Sequence, residues 1–145
     1  MAQEQRQSDI RRKSYADLAQ QFQTLKIKGN TVRNYIMAAQ KPVAPGVTEE
    51  WKAAQWKKAG EVFNGDFISS VDRSSQTVVA VNLVATDAAR DKVKSYEKSR
   101  DHFVGLLRGA ILDSAPFDFY EFDKTVKECE SAIEGFLAEV RDEVI

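Results

Sequence analysis

From Phe122 onward the chain repeats one pattern: Phe122, Val126, Cys129, Ile133, Phe136, Val140 and Val144, at alternating steps of four and three. Only an α-helix brings residues at that spacing onto one face, and so narrow an apolar stripe has to be buried against other helices. The spacing predicts a helix from about residue 118 and makes an all-α fold the expectation. The same test succeeds upstream. Val93, Tyr96, Phe103, Val104, Leu107 and Ile111 share a face of a long helix opened by Thr86-Asp87 and broken between Asp113 and Pro116. Trp51, Ala54, Ala59, Val62 and Phe63 share a face of a helix started by Thr48, with Glu49 and Glu50 set against the positive end of its macrodipole. Asn64-Gly65 weakens that helix, yet Phe67, Ile68 and Val71 resume its pattern.

The N-terminal third reads as two helices. Residues 8–27 place Tyr15, Leu18, Ala19, Phe22 and Leu25 on one face. Gly29-Asn30 predicts an end there, since glycine is the usual residue just past a helix. Asn30 or Thr31 then caps a second helix carrying Val32, Tyr35, Ile36 and Ala39. Two prolines and a glycine in Lys41-Pro42-Val43-Ala44-Pro45-Gly46 predict a loop. Thr77-Val78-Val79-Ala80-Val81-Asn82-Leu83-Val84 is the one strand candidate. It is β-branched and nearly all apolar, so burial is expected whether it is strand or helix. The expected architecture is all-α: a single domain over 1–145, built as an antiparallel four-helix bundle with an additional C-terminal helix. It leaves room for a short extended segment near 77–84 and for a polar, flexible N-terminus over 1–13.

Composition narrows the function. One histidine, His102, and one cysteine, Cys129, do not make a His/Cys metal site. No GxGxxG, GxxxxGK[ST] or HExxH is present, so neither an enzyme nor a cofactor is expected. His102 reads as a helix-surface or packing residue and Cys129 as a small core residue. No apolar run approaches the ~18 residues of a membrane span, so no membrane partner is expected. A lone cysteine fits a reducing compartment such as the cytoplasm. Charge is balanced overall, at −1, but not along the chain. Residues 1–41 carry eight Lys/Arg against three acids, a net +5, whereas residues 111–145 carry three against ten, a net −7. A basic segment suits phosphate, and opposite ends of neighbouring copies would attract.

Two resemblances bear on this. Ser14 to Phe22, followed by Asn30 to Ile36, resembles the supporting and recognition helices of a helix-turn-helix over 14–41, which would make double-stranded DNA the partner. Its connection, Gln23 to Gly29, is longer than that motif's usual turn. The second resemblance runs further. Gln21-Phe22-Gln23-Thr24, then Thr31-Val32, then Lys41-Pro42-Val43-Ala44-Pro45-Gly46-Val47-Thr48 resemble, in order and spacing, segments of the coat proteins of rod-shaped plant viruses of the tobacco mosaic type. Val71-Asp72-Arg73 with Val78 to Asn82, Asp87 to Arg90, and Leu106-Leu107-Arg108-Gly109 continue the match to about residue 109. Ala80 and Asn82 stand where that family carries two carboxylates of a charge-repulsion device.

The resemblance implies a structural protein that self-assembles into a helical rod around single-stranded RNA, in a virion or the host cytoplasm. It assigns RNA contact to Lys28, Arg73 and Arg90, with Asp87 and Asp91 beside Arg90. A coat that packages a whole genome has to hold phosphates rather than read bases. The remaining alternative is a helical interaction or adaptor protein without nucleic acid.

Overall fold

A computed structural model describes residues 2–144 and is all-helical, with no strand among them. Helix α1 spans Ala2–Ala39, α2 Glu49–Val62, α3 Ile68–Val84, α4 Asp87–Leu112 and α5 Phe119–Val140. A π-helical turn, Phe63–Phe67, joins α2 to α3 without a break, and a short 3₁₀ turn, Arg141–Val144, follows α5.

The caps explain most of the boundaries. Thr48 accepts from the Trp51 amide, Thr86 from Ala89 and Asp118 from Glu121, so the starts of α2, α4 and α5 each have a side-chain acceptor for an orphan N–H. The proline loop behaves as expected, with Ala44 and Val47 exchanging backbone bonds and Gly46 at φ 82° in the left-handed region. α4 stops at Leu112, where the Asp113 and Ala115 amides both return to the Gly109 carbonyl.

One expectation about α1 is corrected: it does not end at Gly29-Asn30 but is one helix of 38 residues, about 57 Å long, that also takes in residues 2–13. Gly29 is there for packing. A β-carbon on it would lie 2.3 Å from Cζ of Phe103, so only hydrogen fits beneath that ring. With no turn between residues 14 and 39, the helix-turn-helix geometry is absent. The segment 77–84, open between strand and helix from the sequence, is the last part of α3. Val78 and Val81 are buried at helical spacing with Ser70 and Ser74, and this stripe outweighs the few tenths of a kcal/mol that β-branching costs a helix. The segment is not buried all round either: Val79 and Leu83 are 60% and 77% exposed. In α2, Ala54 is exposed and Gln55 takes the buried position.

Side-chain pairs give the helix directions. Lys28 meets Asp66 and Arg11 meets the Val84 carbonyl, so α1 and α3 run antiparallel. Arg33 meets Asp123, Lys26 meets Glu130 and Tyr15 meets Glu143, so α1 and α5 also run antiparallel. Arg100 reaches Ser74 and Arg90 the Asn82 carbonyl, reversing α4 against α3; His102 with Glu121 belongs to the hairpin of α4 and α5. The core lies between these helices. The expected faces of α4 and α5 are buried in it: Val93, Tyr96, Phe103, Val104 and Leu107 from one, Phe122 to Val140 from the other. The Val144 side chain lies outside the described residues. α5 thus shares one core with the other helices.

The π turn holds Phe63 and Phe67 inward together, with ring centroids 5.4 Å apart. The Ile68 amide reaches back five residues to the Phe63 carbonyl, and the widened turn absorbs one residue so that the buried stripes of α2 and α3 stay in phase. At the far end, residues 2–10 of α1 precede the Arg11–Val84 contact and are almost wholly exposed, an overhang of about 14 Å.

Gly29→Ala should therefore destabilise the protein by about 1–3 kcal/mol through overpacking. Gly105→Ala, in α4 with open space at its β-position, should stabilise it by about 0.5–1 kcal/mol. Urea unfolding of the two variants checks both signs.

Candidate functional site

The five residues singled out in the sequence are not gathered into one site. Lys28 projects from α1 onto the π turn, with Nζ 3.4 Å from Asp66 Oδ2. Arg73 is exposed on the outer face of α3 and has no ion pair among the described residues. Arg90 turns back over the end of α3, where Nε donates to the Asn82 carbonyl at 3.0 Å and Nη1 to Asp87 at 3.3 Å. Asp87 and Asp91 are exposed in the first turns of α4. From the Asp66 level to the Asn82 level these groups spread over about 24 Å of helix. Lys28 and Arg90 are already paired, but with exposed carboxylates, and such surface pairs are worth about 0–1 kcal/mol. Either could exchange its partner for a phosphate at small cost.

The charge gradient along the chain has no counterpart as two charged ends in space. Basic α1 lies beside acidic α5, and Arg33–Asp123 (3.0 Å) and Lys26–Glu130 (3.3 Å) pair across the seam. Arg33 also stands over the Phe119 ring at 5.2 Å. Glu143 closes the seam by accepting hydroxyl bonds from Tyr15 and Thr86. Opposite charge here joins helices within one molecule, so it gives no support to attraction between copies.

One polar cluster was not foreseen. Arg100 lies on the core face of α4 and is only 7% exposed. Its Nη1 donates to Ser74 Oγ at 3.1 Å and its Nη2 to Asp101 Oδ1 at 3.2 Å, while Nε is buried without a partner. The Tyr96 hydroxyl is 3.5 Å from Ser74 Oγ, and the guanidinium lies 6.0 Å from the Tyr96 ring centre. Burial pushes the Tyr96 phenol up to about 12, against the pull of Ser74 and Arg100. Burial likewise pushes the Cys129 thiol up to about 12, the positive charge of Arg100 only partly opposing it. A thiol so rarely ionised is a poor nucleophile. The sequence held one signal of this cluster: Arg100 interrupts an apolar face between Tyr96 and Phe103, where an exposed arginine does not belong.

His102 is half-exposed on α4, with Nε2 3.1 Å from Glu121 Oε1. Among the described residues no group of three or more His, Cys, Asp and Glu could hold a metal, and no helix is long and apolar enough to cross a membrane. The grooves are open and shallow. One of about 290 Å³ is lined by Trp56, Lys57, Gly60, Ala110, Ile111 and Ser114; another of about 230 Å³ is lined by Gln7, Ile10, Arg11, Leu83 and Val84. Neither gathers the convergent polar groups of a small-molecule site.

No protein-family model, curated protein or solved structure matches the chain.

Two measurements follow from the buried cluster. Ser74→Ala leaves Arg100 Nη1 unpaired and should cost about 1–3 kcal/mol. In an Arg100→Met background, where the charge is gone, the same change should cost clearly less, and a double-mutant cycle by urea unfolding reads the difference. The second concerns pH. The buried Cys129, Tyr96 and Tyr15 have folded values raised to about 12, from 9.0 for the thiol and 10.0 for the phenols. In the unfolded chain they ionise first, so their stabilisation is complete below about pH 9 and is lost as pH rises toward 12. Stability should fall across that window, and Cys129→Ala should delay the onset of the fall to about pH 10.

Proposed function

We propose that this chain is a structural protein that associates with itself, its helices forming an antiparallel four-helix bundle in which α5 is the fourth rod. Apolar surface left free at both ends of the molecule carries the reading. At one end Ile10 and Leu83 are exposed beside Val84 and the overhang of α1. At the other, Trp56, Leu112 and Tyr120 are exposed around the turn from α4 to α5. Apolar patches at opposite ends of a rod, with ion-paired flanks between, suit contact with further copies.

The resemblance to rod-virus coat proteins gives this a concrete form: a helical rod around single-stranded RNA, with Arg73, Lys28 and Arg90 on phosphates and Asp87 and Asp91 releasing or re-forming pairs beside Arg90. Arg73 supports it most directly, because it already stands free in solvent. The adaptor reading without nucleic acid is favoured by a different observation, the neutralisation of α1 by α5.

Negative-stain electron microscopy over a pH and salt series, with and without RNA, separates these readings. Rods or stacked discs are expected; uniform small particles in every condition would overturn self-assembly. RNA affinity then tests the coat form. Three phosphate contacts should give log K a slope near −2 against log salt, and Arg73→Ala should reduce it by about 0.7. A flat salt response leaves the adaptor reading.

A further inference from the structure

The outer face of α1 carries no charge. From Ala16 to Met37 the exposed residues of this helix are Ala16, Gln20, Gln23, Ile27, Asn34 and Met37, and none is ionisable. Other outer faces differ: seven of the twelve exposed residues of α4, six of the ten of α5 and five of the eight of α2 are Asp, Glu, Lys or Arg. α3 shares the feature only from Ser75 to Leu83, a run of about 12 Å that begins beside Asp72 and Arg73. Four charged side chains border the α1 face half-buried, and each is already held: Asp17 by Lys13, Lys26 by Glu130, Lys28 by Asp66 and Arg33 by Asp123. Thr24 and Thr31 return their hydroxyls to the Gln20 and Ile27 carbonyls of their own helix. With half-buried Asn30 included, the positions run 16, 20, 23, 27, 30, 34 and 37, in steps of four and three. That is the spacing of a seam between two helices, kept for three heptads or about 32 Å.

We infer that this face is a lateral seam where two copies of the chain meet about a two-fold axis close to Ile27. The occupant follows from the charge. In an isologous contact the groups near the axis meet their own copies, so an ionised residue there would face its like. A partner bearing charges would have them taken out of water here with no counter-charge to meet. A second copy presents neither difficulty. Gln20, Gln23 and Asn30 each carry an acceptor and donors in one group, so an amide can pair with the amide of a copy. Asn34 keeps its amide donors for the seam, its Oδ1 being taken by Arg33 at 3.4 Å. Ile27 is 61% exposed and lies midway between Ala16 and Met37. It supplies apolar cover at the axis and meets its own copy whichever way the two helices run. Amides in such a seam specify register at a cost in strength, so the association is reversible and concentration-dependent.

This inference rests on the self-association reading and adds to it a contact along the flank of the molecule, beside those at the ends.

The test is molar mass by light scattering on nuclease-treated protein over a concentration series. The wild-type mass should rise above that of the single chain. Ile27→Glu and Ile27→Lys should each lower the mass at a given concentration at least twofold, with an unchanged circular dichroism melt, because position 27 already faces solvent. An equal mixture of the two should recover it, since Glu then meets Lys across the axis; a defect confined to one molecule would not be cured by mixing. Ile27→Cys should form a disulfide-linked dimer on mild oxidation, whereas Ser131→Cys, exposed on α5, should not; the native Cys129 is buried and takes no part. A single-chain mass at every concentration overturns both this seam and self-association. Wild-type mass retained by Ile27→Glu overturns the seam alone and leaves self-association standing.

Discussion

The fold depends on the seat of the Phe103 ring. It lies over Gly29 of α1, with its centroid 6.0 Å from that of Phe67 at the π turn and 5.1 Å from that of Phe122 in α5. One side chain of α4 therefore meets α1, the π turn and α5. The ring can reach this place because position 29 has no β-carbon and because the widened turn brings Phe67 inward. Phe117 and Phe119 extend the aromatic chain from Phe122 into the turn before α5, and Arg33 closes it from α1. Contacts of this kind add about 0.5–1.5 kcal/mol each beyond area burial. They also set helix register, because sliding any rod by one turn would remove its ring from the stack.

Away from that centre the helices are matched by charge. Arg33 and Lys26 of basic α1 pair with Asp123 and Glu130 of acidic α5, which brings the net +5 and net −7 segments of the chain side by side. The pairing changes what the surface can do. Cations held against α5 are not idle phosphate ligands, and the free basic groups that remain, Arg73 foremost, are scattered. Exposed apolar side chains are the other feature of the surface, at Ile10, Trp56, Leu112 and Tyr120 and along α3 at Val79 and Leu83.

Much of this was legible in the sequence, and the exceptions have identifiable causes. Thr48, Thr86 and Asp118 mark helix starts because a side-chain oxygen there meets an orphan amide, a local interaction that needs no knowledge of the fold. The Phe122–Val140 stripe was legible because its period is strict. Gly29 misled because one residue type serves two purposes, helix termination and close helix approach, and only the position of Phe103, 74 residues away, decides between them. Over 77–84 local preference could not choose between strand and helix, because β-branching is a weak preference that tertiary packing overrides, and the expected burial fails at Val79 and Leu83, which lie off the buried stripe of α3. Of the candidate site, Arg73 and the two aspartates are exposed, whereas Lys28 is held by Asp66, 38 residues away, and Arg90 by the Asn82 carbonyl across the turn from α3 to α4, contacts set by packing that no local pattern encodes.

Arg100 shows what the apolar pattern conceals. Its neighbours Tyr96 and Phe103 fix its direction, so the charge is carried into the core by helix geometry and not by any attraction waiting there. Ser74 and Asp101 satisfy part of it and leave Nε bare. A buried charge so incompletely matched contributes little net stability, since desolvation offsets what its bonds return. What it does provide is discrimination. Only the register that sets Ser74 against Arg100 gives Nη1 a partner, and any slip of α3 along α4 strands the charge. That register leaves Val79 and Leu83 facing outward. The interior polar contact therefore determines which side chains of α3 reach the surface.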